Sequence, residues 1–221
     1  MSLDAVQRAT HAFLKPLDFR KKGRTHNRLT EGGLTQVINF QMGEYPVGNN
    51  YVIPGLRERL YGQFAVNLGV MLPCIYDAEH TNEPPATIQE YHCTIRERLS
   101  CLAFGKDTWL ELTPDTEALS STIVDLLDRF GLPFFDQFQS YEDVLKFYDE
   151  HGDLPFQNSG RASVEAALIA KELGDDALAG SLFDRAYSHD HKGFKKHVAA
   201  IASKHGHQTG ERDCRETPVG P

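Results

Sequence analysis

The chain has 221 residues, enough for one large domain or for one domain with a smaller module. Hydrophobic residues make up 40% of it, including 13 Phe and 8 Tyr, so a substantial core can form. No stretch approaches the roughly 20 apolar residues of a membrane span, and the first residues lack the pattern of a secretory signal; we therefore expect a soluble cytoplasmic protein without a membrane partner.

Charge is unevenly distributed along the chain. The formal net charge of −8 argues against a general nucleic-acid binder, so nucleic acid is not an expected partner. Residues 131–190 carry four basic and twelve acidic side chains, whereas residues 191–205 carry four lysines and no acid. The acidic stretch could steer a basic protein partner towards this surface, or it could form an ordinary solvated helical surface.

The first third of the chain predicts a helix followed by a β-hairpin. Apolar residues at helical spacing predict a helix over residues 3–15, with Ser2 or Asp4 near its start and Pro16 at its end. Residues 24–43 predict strand, turn and strand, because alternating apolar side chains follow the hairpin signal Gly32–Gly33.

The middle of the chain predicts further strands separated by loops. Residues 63–72 form a strongly β-like run, in which alternate residues share one face: Phe64, Val66, Leu68 and Val70. Loops are expected at 47–55 and 80–87. Residues 91–102 fit a strand or a helix, with a strand favoured, and residues 108–112 predict a short strand that contains Trp109.

Helices dominate the remainder. A helix from Asp115 is expected to end at Gly131 as its C-cap, and Ser140 is a plausible N-cap for a helix that Gly152 ends. Three short helices follow from Ser163. The predicted fold is α+β: an N-terminal helix and an antiparallel sheet of about four to five strands, with helices packed on one face, then a helical C-terminal extension. The expected domains are an α+β domain, a helical extension and a disordered tail, at residues 1–139, 140–205 and 206–221.

Small residues in the C-terminal helices have a specific spacing. Gly174, Ala179, Phe183 and Ala186 give residues 163–187 a weak resemblance to a single tetratricopeptide-type helix pair. Repeats of this class need about three copies to be stable alone. The alternative is an ordinary helix hairpin docked on the main domain.

The segment 18–28 is the first candidate binding region. It contains Lys21 and Lys22, and a strand over 24–28 would place Arg24, His26 and Arg28 on one face, about 7 Å apart. Arginines in such a row suit phosphate or carboxylate groups, because the guanidinium group can bind them through two hydrogen bonds. Gly23 would allow the backbone to turn sharply before this strand.

Other polar residues interrupt the predicted strands. Asn67 is notable, because an amide in a buried strand costs a few kcal/mol unless it is hydrogen-bonded; it indicates either a wet, concave sheet face or a loop held in place. Further candidates for anion or partner binding are Gln41, Arg96 and Arg98. One hypothesis is a groove in which Arg24, Arg28, Arg96 and Arg98 bind an anion. The alternative is surface ion pairs with nearby acids, namely Glu31, Glu44, Glu58, Glu97 and Glu111.

Motifs for catalysis and cofactor binding are absent from the sequence. It has no Walker-type glycine loop, dinucleotide fingerprint or nucleophile elbow. The four cysteines lack the spacing of a zinc or redox motif and are expected to be free thiols. Two His–X–His pairs near the C-terminus lack a defined set of ligands, so no metal and no cofactor are expected, and the sequence favours a non-enzymatic protein.

Several segments together resemble a known family. They are LDFRKKGRTHNR, VINFQ, FAVNLGV, CTIRERL, TWLEL and GLPFF, in this order along residues 3–139. The combination resembles the bacterial domain-of-unknown-function family 4304. The resemblance implies an α+β bacterial domain, and it implies neither an activity nor a catalytic residue.

These observations favour a protein-binding module. Its sharper form is an immunity-type inhibitor of a basic toxin, using acids such as Asp143, Asp149, Glu150, Asp175 and Asp176. The alternative is a ligand-binding domain or enzyme that acts on a phosphorylated or carboxylated small molecule through the basic sheet face.

Overall fold

The computed structural model describes residues 3–43, 60–188 and 191–209. The chain forms two compact units, Met1–Val144 and Leu145–Pro221. The loop predicted at 47–55 lies outside the described residues, as does the predicted tail from residue 210 onwards.

The first unit contains an antiparallel sheet with the strand order β1-β2-β3-β4-β5, and β6 pairs with β4. The strands are β1 (Arg20–Lys22), β2 (Thr25–Leu29), β3 (Thr35–Met42), β4 (Gln63–Met71), β5 (Ile95–Arg98) and β6 (Leu110–Glu111). Two predicted turn glycines, Gly23 and Gly33, have the positive φ angles of 59° and 81° that favour glycine in tight turns. Gly33 lies in the predicted hairpin between β2 and β3.

The described helices of this unit are α1 (Leu3–Leu14), α2 (Pro73–Glu79), α3 (Leu99–Phe104), α4 (Thr116–Leu126), α5 (Leu132–Asp136) and α6 (Tyr141–His151), the last of which continues into the second unit. Of these, α1 precedes the sheet in the chain, α2 and α3 lie between its strands, and α4 to α6 follow it. The predicted α+β class, with an N-terminal helix, an antiparallel sheet and C-terminal helices, is confirmed. Strand β1 and helix α2 were not predicted.

One face of the sheet forms the main core of the unit. We call it the inner face; its buried residues include Gln36, Ile38, Phe40, Phe64, Val66, Leu68, Val70 and Ile95. Its cover includes α5, because Gln36 Nε2 donates to the carbonyl oxygens of Phe135 and Phe138, 3.2 and 3.4 Å away. Phe64, Val66, Leu68 and Val70, which were predicted to share one face of a strand, therefore all face the core.

The opposite face, which we call the outer face, carries Thr25, Asn27, Val37, Asn39, Asn67 and Gly69. Residues 72–93, the covering segment, cross part of it. Val37, Met71, Tyr76, Ile88 and Cys93 form a small apolar cluster there. Gly69 permits the close approach, since a Cβ at this position would lie 2.7 Å from Cys93 Sγ.

Three sequence predictions need correction. Gly131 does not end a helix: it has φ −71°, and a π-helical turn at Leu127–Gly131 leads directly into α5. Its small size instead serves packing, because a Cβ would lie 3.0 Å from Leu127 Cδ2. The strand favoured for residues 91–102 is limited to β5: residues 91–92 belong to a 3-10 turn, and residues 99–102 begin α3. The predicted strand 108–112 is limited to β6 and leaves out Trp109.

Among its described residues, the second unit contains the rest of α6 and the helices α7 (Ser159–Glu172), α8 (Asp176–Tyr187) and α9 (Lys192–Lys204). Helix α7 begins earlier than predicted, since Asn158 Oδ1 accepts the Arg161 N–H and caps it. Gly174, with φ 79°, connects α7 to α8, and Ala179, Phe183 and Ala186 are buried. No helix in the described parts of the chain has both the length and the apolar character needed to cross a membrane.

Candidate binding cleft

A cleft of about 730 Å³ opens beside strands β1 and β2 at one end of the outer face. Strand residues Asn27, Leu29, Thr35 and Met71 line its floor. Part of the covering segment, residues 84–88, lines it as well, and the remaining lining residues are Asp18, Arg20, Lys21 and Lys22. The cleft therefore combines a floor of mixed polar and apolar residues with a row of cations.

The three cations of β1 lie at the surface of the first unit. Arg20, Lys21 and Lys22 are all exposed. Within the part of the chain that the structure describes, none of their side chains takes part in a salt bridge. One acid, Asp18, shares the lining. The cleft therefore presents an excess of positive charge in a protein whose net charge is negative.

Asn27 holds the covering segment over the cleft by two hydrogen bonds. Its Nδ2 donates to the Ile88 carbonyl at 2.9 Å, and its Oδ1 accepts the Ile88 N–H at 3.0 Å. The amide thus pairs with Ile88 as a neighbouring strand would. A second anchor lies beside it: Gln89 Oε1 accepts from Thr25 Oγ1 at 2.7 Å and from Asn39 Nδ2 at 3.3 Å. The predicted role of a strand amide in holding a loop therefore belongs to Asn27 and Asn39.

The register of β2 separates the residues of the predicted cationic row. His26 and Arg28 do share a face, as expected, but it is the buried inner face. Arg24 lies in the turn before β2 and is exposed. The row of three cations facing one ligand is therefore not formed.

Both inner-face residues have intramolecular contacts. His26 is fully buried, 5.5 Å from the His11 ring and 6.1 Å from the Phe40 ring between centroids. Burial, with smaller contributions from His11 and Lys21, lowers the pKa of His26 to about 4. Arg28 Nε donates to Gln36 Oε1 at 2.8 Å, and its guanidinium lies 4.6 Å from the centre of the Phe19 ring. These contacts hold Arg28 in place beside the core.

The other four predicted site residues lie on the outer face, away from Arg28. Asn67 Nδ2 donates to Gln41 Oε1 at 3.1 Å, and Asn67 stands directly opposite Arg98. Arg96 stands opposite Gly69. Because Arg28 faces the core, the proposed groove of four arginines does not form.

Arg98 has an acidic partner of its own. Its Nη1 donates to both carboxylate oxygens of Asp107, at 2.7 and 2.9 Å, and its guanidinium lies 5.1 Å from the Trp109 ring centre. The predicted alternative of a surface ion pair therefore describes this arginine, although the acid is Asp107 and not one of the glutamates expected.

Several acids proposed to attract a basic partner have local structural roles. Asp143 accepts hydrogen bonds from the Ser140 N–H and hydroxyl, and Ser140 Oγ in turn accepts the Asp143 N–H, which bears out the predicted N-cap. Asp175 caps α8, and Asp176 pairs with Lys171. Asp149 and Glu150 are exposed on α6.

The described residues contain no group of three or more metal-binding side chains arranged to hold an ion.

Sequence reasoning missed one wall of the cleft. Residues 84–87 were predicted only as part of a loop, and Ile88, Asn27 and Leu29 were not singled out. Arg20 stood in the basic segment but was not chosen as a site residue. One sequence feature could have predicted β1: Gly23 and Arg24 form a two-residue turn. This turn pairs β1 with β2 and places Arg20 opposite Asn27. No local sequence feature predicts that residues 84–88 lie over the sheet, because long-range contacts hold them there.

Comparison with known proteins supports the expected family. Residues 56–137 match the family model described as Domain of unknown function (DUF4304). The predicted resemblance is thereby confirmed over this segment, a little over a third of the chain. The DUF4304 segment contributes Met71 and residues 84–88 to the cleft, whereas Arg20, Lys21 and Lys22 precede it.

The two other comparisons gave no relatives. No curated protein and no solved structure matches the chain.

Proposed function

We propose that the first unit is a non-enzymatic protein-binding module whose cleft receives an acidic part of its partner. The main support for this proposal is the cleft itself, in which three exposed cations at consecutive positions line a space of about 730 Å³. A partner's carboxylates would replace water around these cations, and its apolar atoms would cover Leu29 and Met71. Such charge complementarity favours fast and specific association.

The hypothesis of a basic toxin partner has weaker support. It rests on the overall charge of residues 131–190, and Asp143, Asp175 and Asp176 already serve as caps or as an ion-pair partner. The other two named acids, Asp149 and Glu150, are exposed on α6 and do not line the cleft. The function proposed here therefore uses the basic cleft and an acidic partner.

Charge reversal in the cleft tests this function. The probe is a fluorescein-labelled octapeptide of alternating Glu and Val, titrated by fluorescence polarisation with the full chain. We expect the double variant Arg20→Glu/Lys22→Glu to weaken binding about tenfold or more, because attraction becomes repulsion. Raising the salt concentration should also weaken wild-type binding, since exposed charges are screened.

A matched control distinguishes the effect of the cleft cations from the effect of the protein's net charge. Arg8→Glu/Lys106→Glu reverses two exposed cations of the same unit outside the cleft, and it lowers the net charge equally. We expect this variant to bind nearly as the wild type does. Equal losses in both double variants would show that the peptide responds only to overall charge and would reject the proposal.

The rival function is a site for a small phosphorylated or carboxylated molecule, and the cleft volume lies in the range of such sites. Thermal unfolding with citrate or pyrophosphate distinguishes the two, because a specific ligand raises the apparent stability by mass action. Stabilisation by these anions, without binding of the acidic peptide, would replace the proposed function by this one.

A further inference from the structure

Strand β1 lies at one end of the strand order, and its outer side pairs with no strand in the described residues. The hydrogen bond from the Phe40 N–H to the Arg24 carbonyl, 2.9 Å long, shows that even-numbered residues of this stretch direct their backbone groups towards β3. Thr25 and Asn27 therefore direct theirs towards Lys22 and Arg20 on β1. It follows that the Lys21 N–H and C=O point away from β2, to the open edge.

The cleft includes this open edge. Successive side chains of a strand point to opposite faces, yet Arg20, Lys21 and Lys22 all line the same space. Lys21 therefore lines this space through its backbone or around the open edge of the strand, and in both cases the open edge adjoins the cleft. A molecule lying in it would therefore meet backbone donors and acceptors as well as cationic side chains.

We propose that the cleft binds an extended acidic segment of the partner protein, which adds to the sheet as a strand along β1. This inference rests on the function proposed above and specifies how the partner is held. The Lys21 N–H and C=O supply backbone hydrogen bonds, and Arg20 and Lys22, which share the outer face, pair with acidic side chains at alternate positions of the added strand. Leu29 lies on that same face, so it can contact only partner residues that point to the outer face. Leu29 is 71% exposed, which is a large exposed fraction for a leucine on a sheet face.

Charge and shape favour this occupant over others. Exposed lysines on an edge strand normally discourage pairing with neutral or basic strands, because their charge must be neutralised. An acidic strand supplies that neutralisation, so the same lysines select for it. Strand addition obtains its affinity from main-chain hydrogen bonds and its specificity from alternate side chains, which here meet Arg20 and Lys22 on the outer face.

A proline variant tests the edge directly. Lys21→Pro removes the outward N–H and leaves pairing with β2 intact, since Lys21 is not hydrogen-bonded to β2; Lys21→Ala removes the charge and keeps the N–H. With the Glu–Val octapeptide and the full chain, we expect Lys21→Pro to bind about five- to tenfold more weakly than Lys21→Ala, the loss of one backbone hydrogen bond. Equal affinities of the two variants would overturn strand addition.

A second measurement does not depend on the folding of the proline variant. The same octapeptide, N-methylated at its valines, cannot donate a valine N–H to the Lys21 C=O in an antiparallel ladder and should bind the wild type at least about fivefold more weakly. Hydrogen exchange of the Lys21 amide should slow when the unmethylated peptide is bound. Unchanged affinity for the methylated peptide would overturn the inference, as would tighter binding of a single-stranded oligonucleotide that displaces the peptide.

The two proposals fail in different ways. If Arg20→Glu/Lys22→Glu binds the peptide as the wild type does, the cleft is not the binding site and both proposals fall. If that variant loses binding while Lys21→Pro matches Lys21→Ala, the cleft binds acidic partners through side chains alone, and only strand addition is rejected.

Discussion

His26 is an ionisable side chain enclosed by the core of the first unit. Neighbouring rings from α1 and β3 surround it, and burial keeps it neutral near neutral pH by lowering its pKa to about 4. In the unfolded chain the same imidazole has its ordinary pKa of about 6.5. Below that pH the unfolded state binds a proton that the folded state does not, so acid favours unfolding.

The first prediction is an acid-dependent loss of stability that His26 causes. The stability that depends on a neutral His26 is fully present above about pH 6.5 and is lost as the pH falls from there through about 4. By pH 5 this loss lowers the free energy of unfolding by about 2 kcal/mol. Urea unfolding at pH 7 and pH 5 measures it. In His26→Leu the difference between the two pH values should shrink by about this amount.

His80 provides the control, since it is an exposed histidine of the same unit. His80→Leu should retain the pH dependence of the wild type. If the His26→Leu protein loses as much stability on acidification as the wild type, the buried imidazole is not the cause.

At the scale of elements, the cleft depends on a loop held against two strands. The covering segment packs through its apolar cluster and is hydrogen-bonded through Asn27 and Gln89. Ile88, which both accepts from and donates to Asn27, is buried. Removal of the amide would leave a buried backbone N–H without its partner, which is costly because water cannot easily replace it.

We therefore predict that Asn27→Ala lowers the free energy of unfolding by about 1–3 kcal/mol and speeds hydrogen exchange of the Ile88 amide. Denaturant titration and exchange measured by NMR test the two effects. Thr35→Ala, on the floor of the same cleft, should change the stability much less. Equal effects of the two substitutions would contradict the role given to Asn27.

At the scale of the whole molecule, the cleft lies entirely within the first unit. Every lining residue in the described part of the chain falls between Asp18 and Ile88, and the unit extends to Val144. Its sheet, its core and its covering segment are also formed by residues of this unit. A unit with its own core can in principle fold alone.

A fragment of residues 1–151, which retains all of α6, should therefore unfold cooperatively and bind the acidic octapeptide with nearly the affinity of the full chain. Thermal unfolding followed by circular dichroism and fluorescence polarisation are the measurements. A folded fragment that has lost peptide binding would show that residues beyond 151 contribute to the site, and an unfolded fragment would show that the first unit is not autonomous.

The sequence by itself determined the local elements of this protein. Apolar spacing predicted α1 and β4, glycine predicted the turns at Gly23 and Gly33, and the Ser140 cap was recognisable, because each depends on residues near one another in the chain. Alternation also predicted that His26 and Arg28 share a face.

Only the tertiary structure decided which face of β2 became the core. Period-two alternation is the same whether a face is covered or exposed, and the cover here comes from residues far away in the chain, such as His11 and Phe135. The same holds for the cleft, whose second wall at residues 84–88 meets β2 only through long-range contacts. The basic segment was therefore visible in the sequence, but the side of it that can bind a partner was not.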